Sequence, residues 1–147
     1  MATGGGLADE QVAALLAAAR EAAARAYAPY SGFPVGAAAL TADGTVVAGC
    51  NVENTSYGLT VCAERVATWT AAAQGHRELR AVAVSAPKAP GTTPCGACRQ
   101  VLTEFAPRDG ELIVVLDGAA GPEQVPLSAL LPRAFWPRGV EGLRTED

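Results

Sequence analysis

Residues 81–116 read AVAVSAPKAPGTTPCGACRQVLTEFAPRDGELIVVL, in which two apolar runs flank a longer segment that contains two cysteines. The apolar run from Ala81 to Ser85 predicts a buried strand, and the loop after it contains prolines and a glycine. Cys95 to Phe105 has the pattern of a helix, and Glu111 to Leu116 predicts the next strand. A strand, a helix and a strand in this order favour parallel pairing through a right-handed crossover.

The residues before this stretch predict a hairpin and a second crossover helix. Val35 to Leu40 and Val46 to Cys50 are short apolar runs separated by Asp43-Gly44, a pair that accepts the positive φ angles of a tight turn. A polar loop then leads to a helix that starts at Cys62 and is capped by Gly75. We therefore expect an antiparallel pair followed by a second strand-helix-strand unit, whose two strands should also pair in parallel.

The two ends of the chain complete a three-layer arrangement. Apolar residues at helical spacing predict a first helix with Asp9 as its N-cap, ending at Ala28-Pro29. Glu123 to Val125 predicts an edge strand, and Ser128 is a cap for a short last helix. The predicted fold class is α/β, a three-layer α/β/α sandwich with a mixed sheet of about five strands.

Composition favours a soluble globular protein with a small neutral substrate. Hydrophobic residues make up 50% of the 147, and the chain fits a single domain, 1–147, whose ends at 1–8 and 138–147 we expect to be flexible. A formal net charge of −4 disfavours a nucleic-acid partner, which normally leaves a basic stripe. No segment approaches eighteen uninterrupted apolar residues and no secretory pattern begins the chain, so we expect a cytoplasmic protein with no membrane partner.

Three of the four cysteines are spaced for a metal site. Cys95 and Cys98 lie one helical turn apart, and Cys62 with Glu64 opens the preceding helix. Both helix starts fall on the sheet edge that holds the carboxyl ends of the parallel strands, where ligands usually bind. Three thiolates leave the fourth tetrahedral position of Zn²⁺ open, and the carboxylate can move protons there.

Plainer explanations exist for each of these residues. Cys95 and Cys98 alone also fit a redox pair or a structural zinc knuckle. Glu64 also fits an acid favoured by the helix dipole, while Asn51 and Glu53 also fit polar residues that end a strand. The upstream Cys62 and Glu64 together favour catalysis over these readings.

The pattern Cys62-Ala63-Glu64 followed by Pro94-Cys95-Gly96-Ala97-Cys98 is the three-cysteine form of the zinc deaminase signature. Its surroundings include Tyr30-Ser31-Gly32-Phe33-Pro34-Val35-Gly36-Ala37-Ala38 and Gly49-Cys50-Asn51-Val52-Glu53-Asn54. Together these motifs resemble the small homotetrameric cytidine deaminases, over about Tyr27 to Phe135. The resemblance implies a cytidine deaminase-like fold and one Zn²⁺ per chain, held by Cys62, Cys95 and Cys98.

The activity implied by this resemblance is hydrolysis of cytidine or 2′-deoxycytidine to the uridine product and ammonia, a step of pyrimidine salvage. A zinc-activated water is the nucleophile, and Glu64 is the proton shuttle. Asn51 and Glu53 bind the ribose 3′-hydroxyl, and Phe33 and Tyr57 line the nucleoside pocket. The resemblance also assigns the backbone N–H of Ala63 to the pyrimidine O2.

Two further residues are implicated through the resemblance. Arg65 donates a hydrogen bond to a ligand sulfur and offsets the charge of the three thiolates. Phe135 approaches the active site of a neighbouring subunit in a homotetramer with shared sites. A valine, Val66, stands where many relatives have threonine, which we interpret as a packing change.

Alternative functions differ in what they require of the site. A deaminase of a blasticidin-type antibiotic would use the same zinc chemistry, so spacing alone leaves it open. A deaminase of a base in RNA is disfavoured by the acidic charge balance. A non-catalytic zinc or redox module would need neither Glu64 nor the pair Asn51 and Glu53.

Overall fold

The computed structural model describes residues 6–135 of the chain. Its helices and strands follow one another in the order α1 (Asp9–Ala23), β1 (Gly36–Thr41), β2 (Val46–Cys50), α2 (Ala63–Ala73), β3 (Leu79–Ser85), α3 (Gly96–Phe105), β4 (Ile113–Gly118), β5 (Gly121–Pro126) and α4 (Leu127–Leu130). A single 3-10 turn, Tyr57–Leu59, interrupts the loop between β2 and α2.

All five strands form one mixed sheet in the order β2-β1-β3-β4-β5. β3 and β4 pair in parallel, as expected for strands joined through α3, and the other neighbours are antiparallel. The predicted parallel pairing of β2 with β3 was wrong, because β1 lies between them and pairs with both. β1 runs opposite to both neighbours, so β2 and β3 still point the same way. The predicted α/β fold with a mixed five-stranded sheet is confirmed.

Alternate residues of the central strands face different helix layers. Ala38, Leu40 and Ala83 pack in one cluster with Leu15 and Leu16 of α1. Their neighbours Ala37, Ala39, Val82 and Val114 pack in a second cluster with Ala67 of α2 and Leu102 of α3. This is the two-residue alternation of a strand, and it places α1 on one face and α2 and α3 on the other.

Two glycines allow the helices to approach the sheet closely. A Cβ atom at Gly36 would lie 1.8 Å from the carbonyl oxygen of Ala19 in α1, and one at Gly49 would lie 2.5 Å from the backbone nitrogen of Ala67 in α2. Neither distance leaves room for a side chain. The sheet is therefore lined with alanine and glycine where the helices cross it.

The first helix is shorter than the apolar pattern predicts. Ala8 occupies the N-cap position, Asp9 is the first helical residue, and α1 ends at Ala23. Tyr27 instead pairs with Val52, since its N–H donates to Asn51 O and its carbonyl accepts from Glu53 N. These contacts to a distant segment replace the last helical turn and bring the chain back towards β2.

The prediction of a single domain with flexible ends at 1–8 and 138–147 stays a prediction, because residues 1–5 and 136–147 lie outside the described range. Inside the range, Leu7 is buried, and its N–H and carbonyl both bond to the side-chain amide of Gln124. Within residues 6–135, no helix has the length and apolar content needed to cross a bilayer.

Candidate active site

The three predicted metal ligands meet at the N-terminal ends of two helices. Cys62 is the N-cap of α2 and Cys95 is the N-cap of α3, both with extended backbone, and Cys98 lies in the first turn of α3. Their Sγ atoms all lie within 4.8 Å of one another. The Sγ of Cys95 is 3.8 Å from that of Cys62 and 3.5 Å from that of Cys98.

These separations fit a tetrahedral zinc ion. Zn–S bonds of about 2.3 Å at tetrahedral angles place pairs of sulfurs about 3.8 Å apart. Cys98 is buried, Cys62 is half-buried and Cys95 is exposed, so the cluster has one closed side and one accessible side. These three thiols can hold one Zn²⁺ per chain. A zinc ion with three protein ligands keeps its fourth tetrahedral position for water or substrate.

Arg65 provides positive charge directly beside the cluster. Its Nη2 donates to the Sγ of Cys62 at 3.3 Å, and its guanidinium carbon lies 6.0 Å from the ring centre of Trp69. The Nε of Arg65 is buried and has no hydrogen-bond partner within the described part of the chain. A second N–H is therefore available to the cluster, and the contact with Cys62 raises the pKa of Arg65.

The thiols of the cluster differ in their acidity. Hydrogen bonds from Cys98 and from Arg65 lower the pKa of Cys62 to about 5. The pKa of Cys98 is raised, because its hydrogen bond to Cys62 keeps its proton in place and because burial disfavours a second thiolate. Cys62 is therefore the first of the two to become a thiolate, the form that binds metals.

Glu64 is a buried carboxyl group in the first turn of α2. Its side chain is only 4% exposed, and burial raises its pKa to about 7. The charge on Cys62 raises the pKa further, while the backbone N–H of Glu64 itself lowers it. In turn, the charge of Glu64 raises the pKa of Cys98, so the carboxyl lies within electrostatic reach of the cluster. A carboxyl with a pKa near neutrality can both accept and return a proton.

Asn51 fixes the segment that precedes β1. Only 8% of Asn51 is exposed, and its side-chain amide makes two hydrogen bonds. The Oδ1 accepts from the N–H of Val35 at 2.9 Å, and the Nδ2 donates to the carbonyl of Phe33 at 2.9 Å. The position of Phe33 is thus set by Asn51 through the backbone.

Glu53 binds the segment before β1 as well, at Tyr30 and Ser31. Its Oε1 accepts from the N–H groups of Tyr30 at 2.9 Å and Ser31 at 3.1 Å, and its Oε2 accepts a short hydrogen bond from the Ser31 hydroxyl. The Ser31 hydroxyl is the main reason why the pKa of Glu53 is lowered. Glu53 is therefore held as a carboxylate in one orientation.

A small cavity of about 190 Å³ opens beside Glu53. It is lined by Tyr30, Ser31, Glu53, Tyr57 and Thr60. The rings of Tyr30 and Tyr57 are 5.6 Å apart and tilted by 59°, although 73% of Tyr57 is exposed. Two of the predicted substrate residues, Glu53 and Tyr57, thus share one cavity.

Ala63 and Phe135 are the two other predicted site residues. Ala63 is buried at the first position of α2, where helix N–H groups have no partner within the helix. Phe135 is 76% exposed, and its carbonyl accepts a hydrogen bond from Gln100 Nε2 at 3.1 Å. Cys50 stands apart from the other cysteines, with its Sγ 3.6 Å from the carbonyl of Arg25.

Two residues that hold the site loops in place, Ser31 and Arg99, were not among the predicted site residues. The Ser31 hydroxyl accepts from the N–H of Phe33 at 3.0 Å while it donates to Glu53. Arg99 joins the loop before Cys95 to the end of α4: it donates to Pro94 O at 2.7 Å and to Thr93 Oγ1 at 3.1 Å in the loop, and to Leu130 O at 2.7 Å in α4. A serine two residues before a loop N–H is a recognisable turn signal, but the partners of Arg99 depend on the tertiary fold.

Comparison with known proteins gives consistent matches. Residues 9–115 match the profile described as the cytidine and deoxycytidylate deaminase zinc-binding region. The chain is 47% identical over 122 residues to a cytidine deaminase of Sporosarcina psychrophila, which covers 82% of this chain and 88% of the relative. It is 50% identical over 111 residues to a cytidine deaminase of Halalkalibacterium halodurans, covering 75% and 83%. A crystal structure of cytidine deaminase from Burkholderia pseudomallei superposes with a TM-score of 0.78 at 45% identity, over 88% of this chain and 100% of that chain.

Proposed function

Because the chain belongs to the family of cytidine and deoxycytidylate deaminases, we propose that it hydrolyses cytidine or 2′-deoxycytidine to the uridine product and ammonia. One observation carries the proposal: a buried carboxyl, Glu64, stands beside three thiols spaced for zinc. The alternatives, an antibiotic deaminase and a non-catalytic zinc or redox module, are not favoured, since the matched relatives are cytidine deaminases.

The zinc site is assigned to Cys62, Cys95 and Cys98, and zinc bound there supplies a water of lowered pKa. Glu64 takes the two protons of the attacking water in turn. It delivers the first to ring N3 as the oxygen bonds to C4. It delivers the second to the amino group, which leaves as ammonia while the C4 carbonyl forms. One carboxyl thus acts as base and then as acid, and a pKa of about 7 suits both roles.

Charge balance assigns a role to Arg65. Three thiolates and one Zn²⁺ carry a net charge of about −1, which weakens the metal as a Lewis acid. The Nη2 contact from Arg65 to Cys62 and the N-terminal ends of α2 and α3 offset that charge.

The nucleoside is assigned to Asn51 and Glu53, the predicted partners of the ribose 3′-hydroxyl. A carboxylate offers about four acceptor sites. Three of those on Glu53 are used by Tyr30 and Ser31, which leaves one for the ribose 3′-hydroxyl. Phe33 and Tyr57 are assigned to the walls of the pocket, and the N–H of Ala63 to the pyrimidine O2.

The test is a panel of substrates followed by ultraviolet absorbance and ammonia release. Cytidine and 2′-deoxycytidine should be turned over, whereas cytosine, adenosine and a blasticidin-type substrate should not. Glu64→Gln should lose turnover by a factor of about 10² to 10⁴. Glu10→Gln, a first-turn acid on the exposed part of α1, is the matched control and should retain it. Zinc-loaded protein that turns over no cytosine nucleoside would refute the proposal.

We further propose a homotetramer with shared active sites. Large apolar side chains remain exposed on the single chain: Tyr27, Tyr30, Val46, Val52, Tyr57, Leu59, Trp69 and Phe135. Sedimentation measurements test the assembly. Phe135 is tested by mixing subunits that carry Glu64→Gln with subunits that carry Phe135→Ala, because shared sites predict partial recovery of activity in the mixture. Activity equal to the average of the separate variants would contradict a shared site.

The cellular setting is also a proposal. All four cysteines are free thiols, which suits a reducing compartment such as the cytoplasm. Deamination of free nucleosides there is a step of pyrimidine salvage. The formal charge of −4 is consistent with a small-molecule substrate and with no nucleic-acid partner.

A further inference from the structure

Lys88 is the only lysine among the 147 residues, and it lies in the loop between β3 and α3. Its Nζ donates to the carbonyl oxygen of Gly32 at 2.6 Å, in the segment before β1. The contact joins two loops that are 56 residues apart in the chain. One loop leads to the ligand Cys95, and the other carries the residues that hold Glu53.

The loop that carries Lys88 is held in place by hydrogen bonds of its own. Ala89 N donates to Ala86 O at 3.0 Å, and the Thr92 hydroxyl donates to Ala89 O at 2.6 Å. Gly91 N donates to Asp117 O at 2.9 Å, at the end of β4. Lys88 therefore projects from a turn that is hydrogen-bonded both internally and to the sheet.

The segment that receives the contact depends on hydrogen bonds instead of burial. Tyr30, Ser31 and Gly32 are exposed, so little apolar packing holds them. Gly32 has a φ of 65°, and its N–H donates to Ala28 O at 2.9 Å. Segments with few buried contacts open at low cost, so each remaining hydrogen bond matters for their geometry.

We propose that Lys88 is a positioning residue that holds the Tyr30–Phe33 segment against the loop of the zinc ligands and so sets the ribose-binding geometry of Glu53. A bond from an ammonium group to a carbonyl is charge-assisted, and it is stronger than a neutral one. Loss of the bond lets Ser31 shift, and with it the carboxylate that Ser31 orients. This inference rests on the proposed function and extends it to a residue outside the cavity.

The role predicts a specific kinetic signature. Lys88→Met keeps the length of the side chain and removes the donor. KM for cytidine should rise about three- to tenfold, since the lost bond is charge-assisted but exposed, and kcat should stay within about twofold. With 3′-deoxycytidine, which lacks the hydroxyl assigned to Glu53, the same variant should change KM by less than about twofold. Lys88→Arg should restore the KM for cytidine, because the guanidinium also donates.

The matched control is Arg80→Met, which removes an exposed basic side chain from the beginning of β3 and should leave both KM values unchanged. Equal KM values for Lys88→Met and the native chain would overturn the proposal. An equal rise for cytidine and 3′-deoxycytidine would also overturn it, because a general structural defect affects both substrates.

A binding measurement separates this proposal from the proposed function. Calorimetric titration with uridine needs no turnover, and Lys88→Met should weaken uridine binding by the same three- to tenfold. A native chain that binds uridine but does not turn over cytidine would refute the deaminase activity alone. Unchanged uridine affinity in Lys88→Met would refute the role of Lys88 alone.

Discussion

Replacement of Arg65 by alanine removes a guanidinium that touches the thiol cluster, and its effect can be estimated from the geometry. The Nη2 of Arg65 lies 3.3 Å from Cys62 Sγ, and the charged contact helps to keep the pKa of that thiol at about 5. A hydrogen bond to a charged group contributes about 1.5–3 kcal/mol. Because the side chain of Arg65 is half-exposed, we expect the lower end of that range, which corresponds to roughly tenfold in zinc affinity.

The buried Nε of Arg65 makes a larger loss of zinc affinity in Arg65→Ala expected. Its N–H has no acceptor within the described residues, so it is available to a ligand sulfur once the thiolates have formed. Removal of a group that bonds directly to a metal ligand commonly weakens metal affinity by about 10- to 100-fold, so the tenfold loss above is the lower end of this range. We therefore predict a 10- to 100-fold weaker zinc site in Arg65→Ala.

The assay is competition for zinc with a chromophoric chelator, together with direct measurement of the metal content. Arg65→Gln retains a donor without the charge and should lie between the native chain and Arg65→Ala. Arg80→Met, remote from the cluster in sequence and exposed, is the control for lost positive charge. Native zinc affinity and native turnover in Arg65→Ala would remove Arg65 from the account of the site.

Two further predictions concern the frame of the site. Gly36→Ala places a Cβ 1.8 Å from Ala19 O, so α1 must move. We expect the free energy of unfolding to fall by about 3 kcal/mol and Tm, measured by calorimetry, to fall by about 6–12 °C. The control is Gly58→Ala, where the added Cβ meets open space and Tm should not change. An unshifted Tm in Gly36→Ala would contradict the packing. Ser31→Ala removes the main cause of the lowered pKa of Glu53. The lowered pKa keeps Glu53 ionised at lower pH. In Ser31→Ala the pKa of Glu53 should rise, which should move the acid limb of kcat/KM for cytidine towards neutral pH and raise KM about three- to tenfold. An unchanged pH profile would exclude this role of Ser31.

The zinc cluster is the part of the site that could be predicted most fully from the sequence. Residues at N-cap and first-turn positions are local, so the spacing of Cys95 and Cys98 already places them together. Cys62 required one further inference, that two crossover helices begin at the same edge of the sheet. The confirmed sheet topology has that arrangement.

The residues proposed to bind the nucleoside could be predicted only through resemblance to a known family. Asn51 and Glu53 contact a segment about twenty residues earlier, and no periodic pattern encodes that contact. The same is true of Tyr27, whose backbone pairs with Val52 and so ends the first helix early. Contacts between loops depend on the finished sheet, and this is why Lys88 also gave no signal in the sequence.

Turnover measured as a function of bound zinc tests whether the three cysteines and Glu64 form a zinc-dependent hydrolytic site. Zinc is removed with a chelator and restored in steps, and cytidine deamination and metal content are measured on the same samples. We predict that activity rises in proportion to zinc up to one ion per chain, and that Glu64→Gln binds the same amount of zinc with turnover lowered about 10²- to 10⁴-fold. Deamination by zinc-free protein would contradict zinc-dependent catalysis, and native turnover in zinc-loaded Glu64→Gln would contradict the role of Glu64 as proton shuttle.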